Sequence, residues 1–313
     1  MTARSLLDRT GTLIGLILVA AIFGALVGRQ FFAPANVELM ARQTAIVCMA
    51  ALGMTVVIAL GGIDLSVGSM IALTTVVIAA ALRDGASPIV ASAAGIGAAA
   101  ICGLLNGVLI TQLRVVPFIV TLGTMLVVRG AAKGIAEERR IEAPITWLNG
   151  LLRTQSGSLL LPGGIWAVIV AALLVGAVLR YTRFGRHLFA IGSNERMARL
   201  CGVAISRTKI VVYTLSAILT GLAGLLQFSK IAVGDPTVAI GLELDVIAAV
   251  IIGGGSLLGG RGSVAGTIMG AAIMAIIQVG CTQKGLASWV QQILTGTIIV
   301  VAVALDRVRS TRI

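Results

Sequence analysis

The stretch TAIVCMAALGMTVVIALGGIDLSVGSMIALTTVVIAAAL, residues 44–82, holds two long apolar runs joined through a glycine pair and one ionisable side chain, Asp64. A helix needs roughly 20 mostly apolar residues to cross about 30 Å of hydrocarbon, and each run is close to that length. The period-2 alternation of a membrane β-strand is absent. A helix that is apolar on every side must be surrounded by lipid or by protein on every side. The fold decision is therefore a helical membrane bundle.

The same pattern repeats outward in both directions. Apolar runs lie near 11–28, 44–60, 66–82, 88–110, 116–135, 163–179, 210–233, 244–259, 263–280 and 288–305. Turn chemistry marks the breaks: Gly61-Gly62, Asp84-Gly85 before Pro88, Val116-Pro117, Pro162-Gly163-Gly164, Asp235-Pro236 and Gly259-Gly260. The expectation is an all-α polytopic bundle of about ten transmembrane helices, with residues 1–313 forming a single transmembrane domain. The first run is expected to stay as an uncleaved helix, because no A-x-A-like site precedes Arg29.

Composition agrees. Of the 313 residues, 58% are hydrophobic and 12% charged, and the mean hydropathy is +1.06. Soluble domains carry about 25% charged residues, so this chain lacks the polar side chains to cover a wet surface. The net charge of +12 follows from topology rather than nucleic-acid binding. With ten spans and both termini in the cytoplasm, 14 of the 24 basic residues but four of the 12 acids fall inside. The inner set comprises Arg4, Arg9, Arg114, Arg180, Arg183, Arg186, Arg196, Arg199, Arg207, Lys209, Arg261, Arg307, Arg309 and Arg312, against Asp8, Asp64, Glu195 and Asp306.

Two hydrophilic stretches interrupt the runs. The outer one, 136–160, carries Glu137, Glu138, Arg139, Arg140, Glu142 and Trp147. The inner one, 180–209, carries seven basic residues around Glu195. Within it, residues 194–202 read as one short helix: Asn194 suits the N-cap, Glu195 the positive helix start and Gly202 the end. A plain basic loop would satisfy the charge bias as well.

Polar residues inside spans are costly and mark function or interhelical contacts. Asp64 sits at a glycine-rich break, where unwound backbone can line a cavity, and it also fits as a cap for a helix starting at Leu65. Ser66 is its neighbour. Arg129 either reaches the outer interface or faces a polar pathway with Thr121, about two turns earlier; Thr124 points further away. Glu243 and Asp245 open the eighth run and suit a helix N-terminus. Asn106 can hydrogen-bond across helices. Gly262, Gly266 and Gly270 recur every four residues, and Gly103 and Gly107 repeat the spacing, so both sets predict close helix packing.

Machinery for chemistry is missing. Cys48, Cys102, Cys201 and Cys281 form no metal-ligand spacing. The glycine run 253–262 lacks the Lys-Ser/Thr ending of a phosphate-binding loop. His187 is the sole histidine, so neither a metal pair nor a Ser–His dyad is expected, and no cofactor. A nucleotide-driven process would need a partner for ATP hydrolysis.

Several ordered segments resemble the permease subunits of bacterial monosaccharide ABC importers of the ribose/xylose type. They are residues 61–69 (GGIDLSVGS), 117–125 with Arg129-Gly130, 182–186 continuing through 190–195 to 199–203, 243–254 (ELDVIAAVIIGG) and 259–267 (GGRGSVAGT). The likeness runs from about residue 40 to the end. Gly255 stands where the family commonly has Thr, and Cys201 where it has Ser. The resemblance implies an inner-membrane, multi-pass permease that is not itself an enzyme. It further implies a second permease copy or paralogue, a cytoplasmic ATP-binding subunit and an external sugar-binding protein, with membrane lipid as the surroundings. It makes residues 194–202 a coupling helix, with Asn194, Glu195, Ala198, Arg199, Leu200 and Gly202 meeting the ATPase. Alternating access is the implied mechanism. The nearest rivals are a branched-chain amino-acid ABC permease and an ion-coupled secondary transporter. The latter would show mid-span carboxylates or histidines, of which there are few.

Overall fold

The structure, a computed structural model, describes residues 3–153 and 162–311, with side chains over 11–153 and 162–304. The side chains of Arg4, Asp8, Arg9, Asp306, Arg307 and Arg309 of the charge argument, together with Arg312 and residues 154–160 of the second hydrophilic stretch, lie outside what is described.

The described residues are mostly helical: α1 (Ala3–Val27), α2 (Pro34–Ala59), α3 (Val67–Arg83), α4 (Pro88–Gln112), α5 (Pro117–Ile135), α6 (Gly163–Tyr181), α7 (Arg183–Ser193), α8 (Glu195–Leu200), α9 (Ile205–Ile231), α10 (Leu242–Ile252), α11 (Val264–Gln283) and α12 (Ser288–Thr311). Three helices open on proline at their first turn, Pro34, Pro88 and Pro117, where the missing N–H costs nothing. Ser87, Thr182 and Ser263 cap α4, α7 and α11 by accepting from Val90, Gly185 and Gly266 amides.

Every expected apolar run finds a helix, yet their lengths differ. Six helices, α2, α4, α5, α6, α9 and α11, are long and apolar enough to cross a membrane, and three shorter apolar segments lie at Gly11–Val27, Val67–Arg83 and Ser288–Ala304. The eighth run, expected over 244–259, is helical only to Ile252. Eleven residues at 1.5 Å each span about 17 Å, half a bilayer core. Gly253-Gly254-Gly255 ends it: Gly254 adopts φ +88°, and the Gly255 amide returns to the Val250 carbonyl at 2.9 Å.

The run that decides the fold becomes the bundle's axis. Every residue of α2 from Ala45 to Ala59 is buried, wrapped by α9, α11, α10 and α6. Peripheral α5 and α6 present Leu126, Val127, Leu173 and Leu174 outward, as a lipid-facing surface requires.

The packing glycines are close-approach points. A Cβ at Gly103 would lie 2.2 Å from Ala217 Cβ, and one at Gly107 2.7 Å from Ile210 Cα, so α4 lies directly on α9. Gly266 and Gly270 face α10 at Gly253 and Ala249. Gly262 departs from the expected common face. It precedes the Ser263 cap, outside α11, and packs against Ala59 and Thr55 of α2.

The outer hydrophilic stretch folds back on the bundle. Ile141–Glu142 pairs antiparallel with Val233–Gly234, and Arg140 Nε binds Asp235 Oδ2 at 2.9 Å.

Candidate translocation pathway and docking helix

Two helices begin inside the bundle, α3 after loop 60–66 and α10 after loop 232–241. The loops share one piece of local chemistry. Asp64 Oδ1 accepts from the Ser66 amide at 2.9 Å and from the Ser66 hydroxyl. Asp235 Oδ1 accepts from the Thr237 amide at 2.8 Å and its hydroxyl at 2.6 Å. Each carboxylate folds its own turn two residues on, which frees the chain to enter a helix at an angle. The bond expected of Asp64, from the Ser66 amide, is present, but α3 starts at Val67 rather than Leu65, so the carboxylate shapes the turn before the helix rather than its first turn.

Helix α5 braces both loops. The Thr121 hydroxyl donates to the Ile63 carbonyl at 3.1 Å, while Arg129 Nη1 donates to the carbonyls of Pro236 at 2.9 Å and Val238 at 2.7 Å. The two side chains sit about 12 Å apart along α5. The Arg129 side chain thus turns onto the loop before α10, away from the Thr121 contact. Thr124 does not join them; its hydroxyl returns to Val120 on its own helix.

The starts of α3 and α10 meet. Glu243 accepts from the Gly241 amide at 3.2 Å through Oε1, and its Oε2 lies against Gly68 in the first turn of α3. The contact joins the start of the 17-residue α3 to that of the 11-residue α10, the latter too short to cross a bilayer by itself. Broken helices of this kind are how transporters expose backbone ends at mid-membrane.

Around this junction, Asn106 Nδ2 donates to Ser66 Oγ at 3.0 Å, and the Tyr213 hydroxyl lies against Gly62, where a Cβ would fall 2.4 Å away. Asp64, Ser66, Asn106 and Thr121 are all at most 1% exposed. Asp64 Oδ2, Asn106 Oδ1, Ser69 Oγ, Tyr213 Oη, Ser216 Oγ and Glu243 Oε2 have no hydrogen-bond partner among the described residues. A buried unsatisfied polar atom costs about 1–3 kcal/mol. Closed off from solvent as they are, these atoms find partners only if the packing around them changes.

Asp245 belongs elsewhere. Lys230 Nζ donates to Gln43 Oε1 at 2.6 Å, Gln43 Nε2 to Gln278 Oε1 at 2.9 Å, and Gln278 Nε2 to Asp245 Oδ2. This directed chain ties α9, α2, α11 and α10 together, and sequence reasoning missed it. Its signal was faint: lone glutamines near the ends of apolar runs.

In the basic stretch, Asn194 Oδ1 accepts from the Met197 amide at 3.0 Å and caps α8. Gly202 adopts φ +80°, and the Val203 amide closes on the Ala198 carbonyl at 3.0 Å, a left-handed helix stop. Glu195 holds Arg199 at 3.1 Å and Lys209 at 2.8 Å. Partial burial pushes the Glu195 carboxyl up, but the Lys209 and Arg199 contacts outweigh it and leave it below its ordinary value. Ala198 is buried, while Arg196, Met197, Arg199 and Leu200 are exposed, Leu200 by 81%. The preceding helix α7, unforeseen from sequence, ends at a glycine junction. A Cβ at Gly192 would lie 2.0 Å from the Ala59 carbonyl and 2.6 Å from the Gly260 amide, and that amide donates to Ala59 at 2.9 Å.

Comparison with known proteins agrees with this architecture. The family model described as "Branched-chain amino acid transport system / permease component" matches residues 36–303. A ribose import permease of Bacillus subtilis is 36% identical over 308 residues, covering 97% of this chain and 94% of its own length. A fructose import permease of Rhizobium meliloti is 33% identical over 94% of this chain and 84% of its own. An L-arabinose ABC transporter permease of Azospirillum brasilense is 35% identical, with 97% and 89% covered. No solved structure matches. With an all-helical bundle, six helices long enough to cross a bilayer and these relatives along nearly its whole length, the chain is a multi-pass membrane protein that belongs to the permease family of ABC importers.

Proposed function

We propose that this chain is the pore-forming subunit of an ATP-driven importer that moves a monosaccharide inward by alternating access. Residues 1–313 form one transmembrane domain, ten helical segments enter the membrane, and both termini are cytoplasmic. A cytoplasmic subunit binds and hydrolyses ATP, an external binding protein delivers the sugar, and a second permease copy or paralogue completes the pore.

The observation that carries the reading is the junction at Gly192. The segment α7–α8 presents Met197 and Leu200 outward and is packed at its rear against Ala59 and Gly260. Ala59 leads directly into the Asp64 loop, and Gly260 belongs to the loop between α10 and α11. A push on α8 from an ATPase therefore reaches both broken helices through rigid backbone contacts. Packed interfaces of this kind switch between discrete arrangements rather than deforming smoothly. The polar atoms of Asp64, Asn106, Tyr213 and Glu243 supply hydrogen-bonding partners for sugar hydroxyls once the α3–α10 contact opens. Asn194, Glu195, Arg199 and Gly202 then serve to hold the shape of the docking helix, while Leu200 with Met197 makes its contact face.

Reconstitution into vesicles tests this. Uptake of labelled ribose, fructose or arabinose should require ATP, the ATP-binding subunit and the binding protein together. Uphill accumulation by this chain alone, without nucleotide, would instead reveal an ion-coupled transporter. The family model's description gives a second reading, branched-chain amino-acid transport, and competition by leucine but not by sugars would favour it.

A further inference from the structure

We propose that the cytoplasmic cleft between the α4–α5 turn and α8 binds the phosphate headgroup of an anionic phospholipid. The cleft has a volume of about 660 Å³, and its walls include Thr111, Arg114, Glu195, Arg199, Ser206 and Lys209. Three cations face one acid. That acid, Glu195, is already shared between Arg199 and Lys209. Among the described residues Arg114 makes no ion pair, and it is held at the helix turn with φ +53°, a backbone region that residues with a Cβ seldom adopt. An unbalanced positive charge gathered in a cleft raises the local concentration of an incoming anion. The guanidinium fork matches phosphate oxygens, and the Ser206 hydroxyl adds a donor.

The cleft's surroundings select a lipid over a soluble anion. Next to Arg114 stand Leu113, Val116 and Phe118, exposed by 62%, 61% and 45%. An inorganic phosphate has no use for an apolar lip beside its site. A phospholipid places its headgroup in the cleft and its acyl chains along that lip. Basic pockets between spans at the cytoplasmic surface have the charge and depth that anionic headgroups require. The site leaves the docking face free, because Glu195 and Arg199 lie on roughly the opposite side of α8 from Met197 and Leu200 at 100° per residue. The inference rests on the cytoplasmic placement of residues 180–209, but it is read by binding alone and needs neither ATP nor sugar.

The purified permease, in neutral detergent, is titrated with phosphatidylglycerol, phosphatidylcholine or inorganic phosphate, and thermal stability and retained lipid by native mass spectrometry are recorded. Phosphatidylglycerol should be retained at least fivefold over phosphatidylcholine and raise the Tm, while millimolar phosphate does neither. Arg114→Gln should reduce that preference to less than twofold, and Arg114→Lys should keep most of it. Equal retention of the two lipids, or an unchanged preference in Arg114→Gln, overturns the proposal. Displacement of the lipid by millimolar phosphate overturns the lipid source in favour of a soluble anion, and displacement on adding the ATP-binding subunit assigns the cleft to that subunit instead. If Arg114→Gln does not fold, the competition on the wild-type protein decides the matter by the same criteria.

Discussion

Glu243 and Gly68 are in such close register that a methyl group on residue 68 would fall 2.3 Å from the Glu243 Oε2 atom and 2.4 Å from the Ala239 carbonyl. The starts of α3 and α10 are therefore seated on each other through a residue with no side chain. A side chain of any size at residue 68 would therefore push the two helix starts apart.

Gly68→Ala should separate these helix starts. Overpacking against backbone costs about 1–3 kcal/mol. We expect a lower Tm in detergent and at least tenfold slower uptake. A double variant with Glu243→Ala should recover only part, because the Ala239 carbonyl still clashes. Wild-type stability and uptake in Gly68→Ala would show that the two helices are not seated as described.

Asp64 builds its turn through one oxygen, Oδ1, which an asparagine retains. Asp64→Asn should fold and insert normally, whereas Asp64→Ala loses the Ser66 contacts at a cost of about 1–3 kcal/mol. Membrane insertion and thermal stability of the two variants provide the comparison. Indistinguishable behaviour of Asn and Ala would remove the turn-forming role.

Gly192→Ala tests transmission. The added methyl would lie 2.0 Å from the Ala59 carbonyl, which belongs to the backbone and cannot swing aside. The expected phenotype is ATP hydrolysis within twofold of wild type and uptake reduced at least tenfold, a separation that simple unfolding would not produce. Parallel loss of both activities, or loss of neither, contradicts the assignment.

Helix α8 should be acid-sensitive in one direction. Glu195 is held below its ordinary value of 4.5 by Lys209 and Arg199. A group depressed on folding contributes its stability above the unfolded value and loses it as the pH falls through the folded one. Hydrogen exchange at residues 195–200 should thus be unchanged from pH 7 down to about 5 and rise below about 4.5. In Glu195→Gln that acid-dependent rise should disappear. A rise of equal size in the variant would assign the effect to other groups.

Much of the fold was legible in the residues themselves. Long apolar runs, prolines at helix starts and glycine pairs at breaks are local signals, and a bilayer demands that each run satisfy its own backbone hydrogen bonds as a helix. The short helix at Glu195–Leu200 was legible for the same reason, since Asn194 and Gly202 act within a few residues of their own positions. The candidate site was visible only as a roster. Asp64, Arg129 and Glu243 stood out as costly charges, but nothing in their spacing said that α5 would brace two loops or that Glu243 would face Gly68. Lys230, Gln43, Gln278 and Asp245 gave less warning still.

What the sequence by itself determined was therefore the class of molecule and its string of helices, because hydrophobic length, capping and turn chemistry operate over a few neighbouring residues. Which helices stop half-way, which glycines touch, and which polar atoms share a buried neighbourhood were decided only by the tertiary structure. Those relations join residues as far as 235 positions apart, as with Gln43 and Gln278. They follow from how whole helices pack in three dimensions, a property no local pattern encodes.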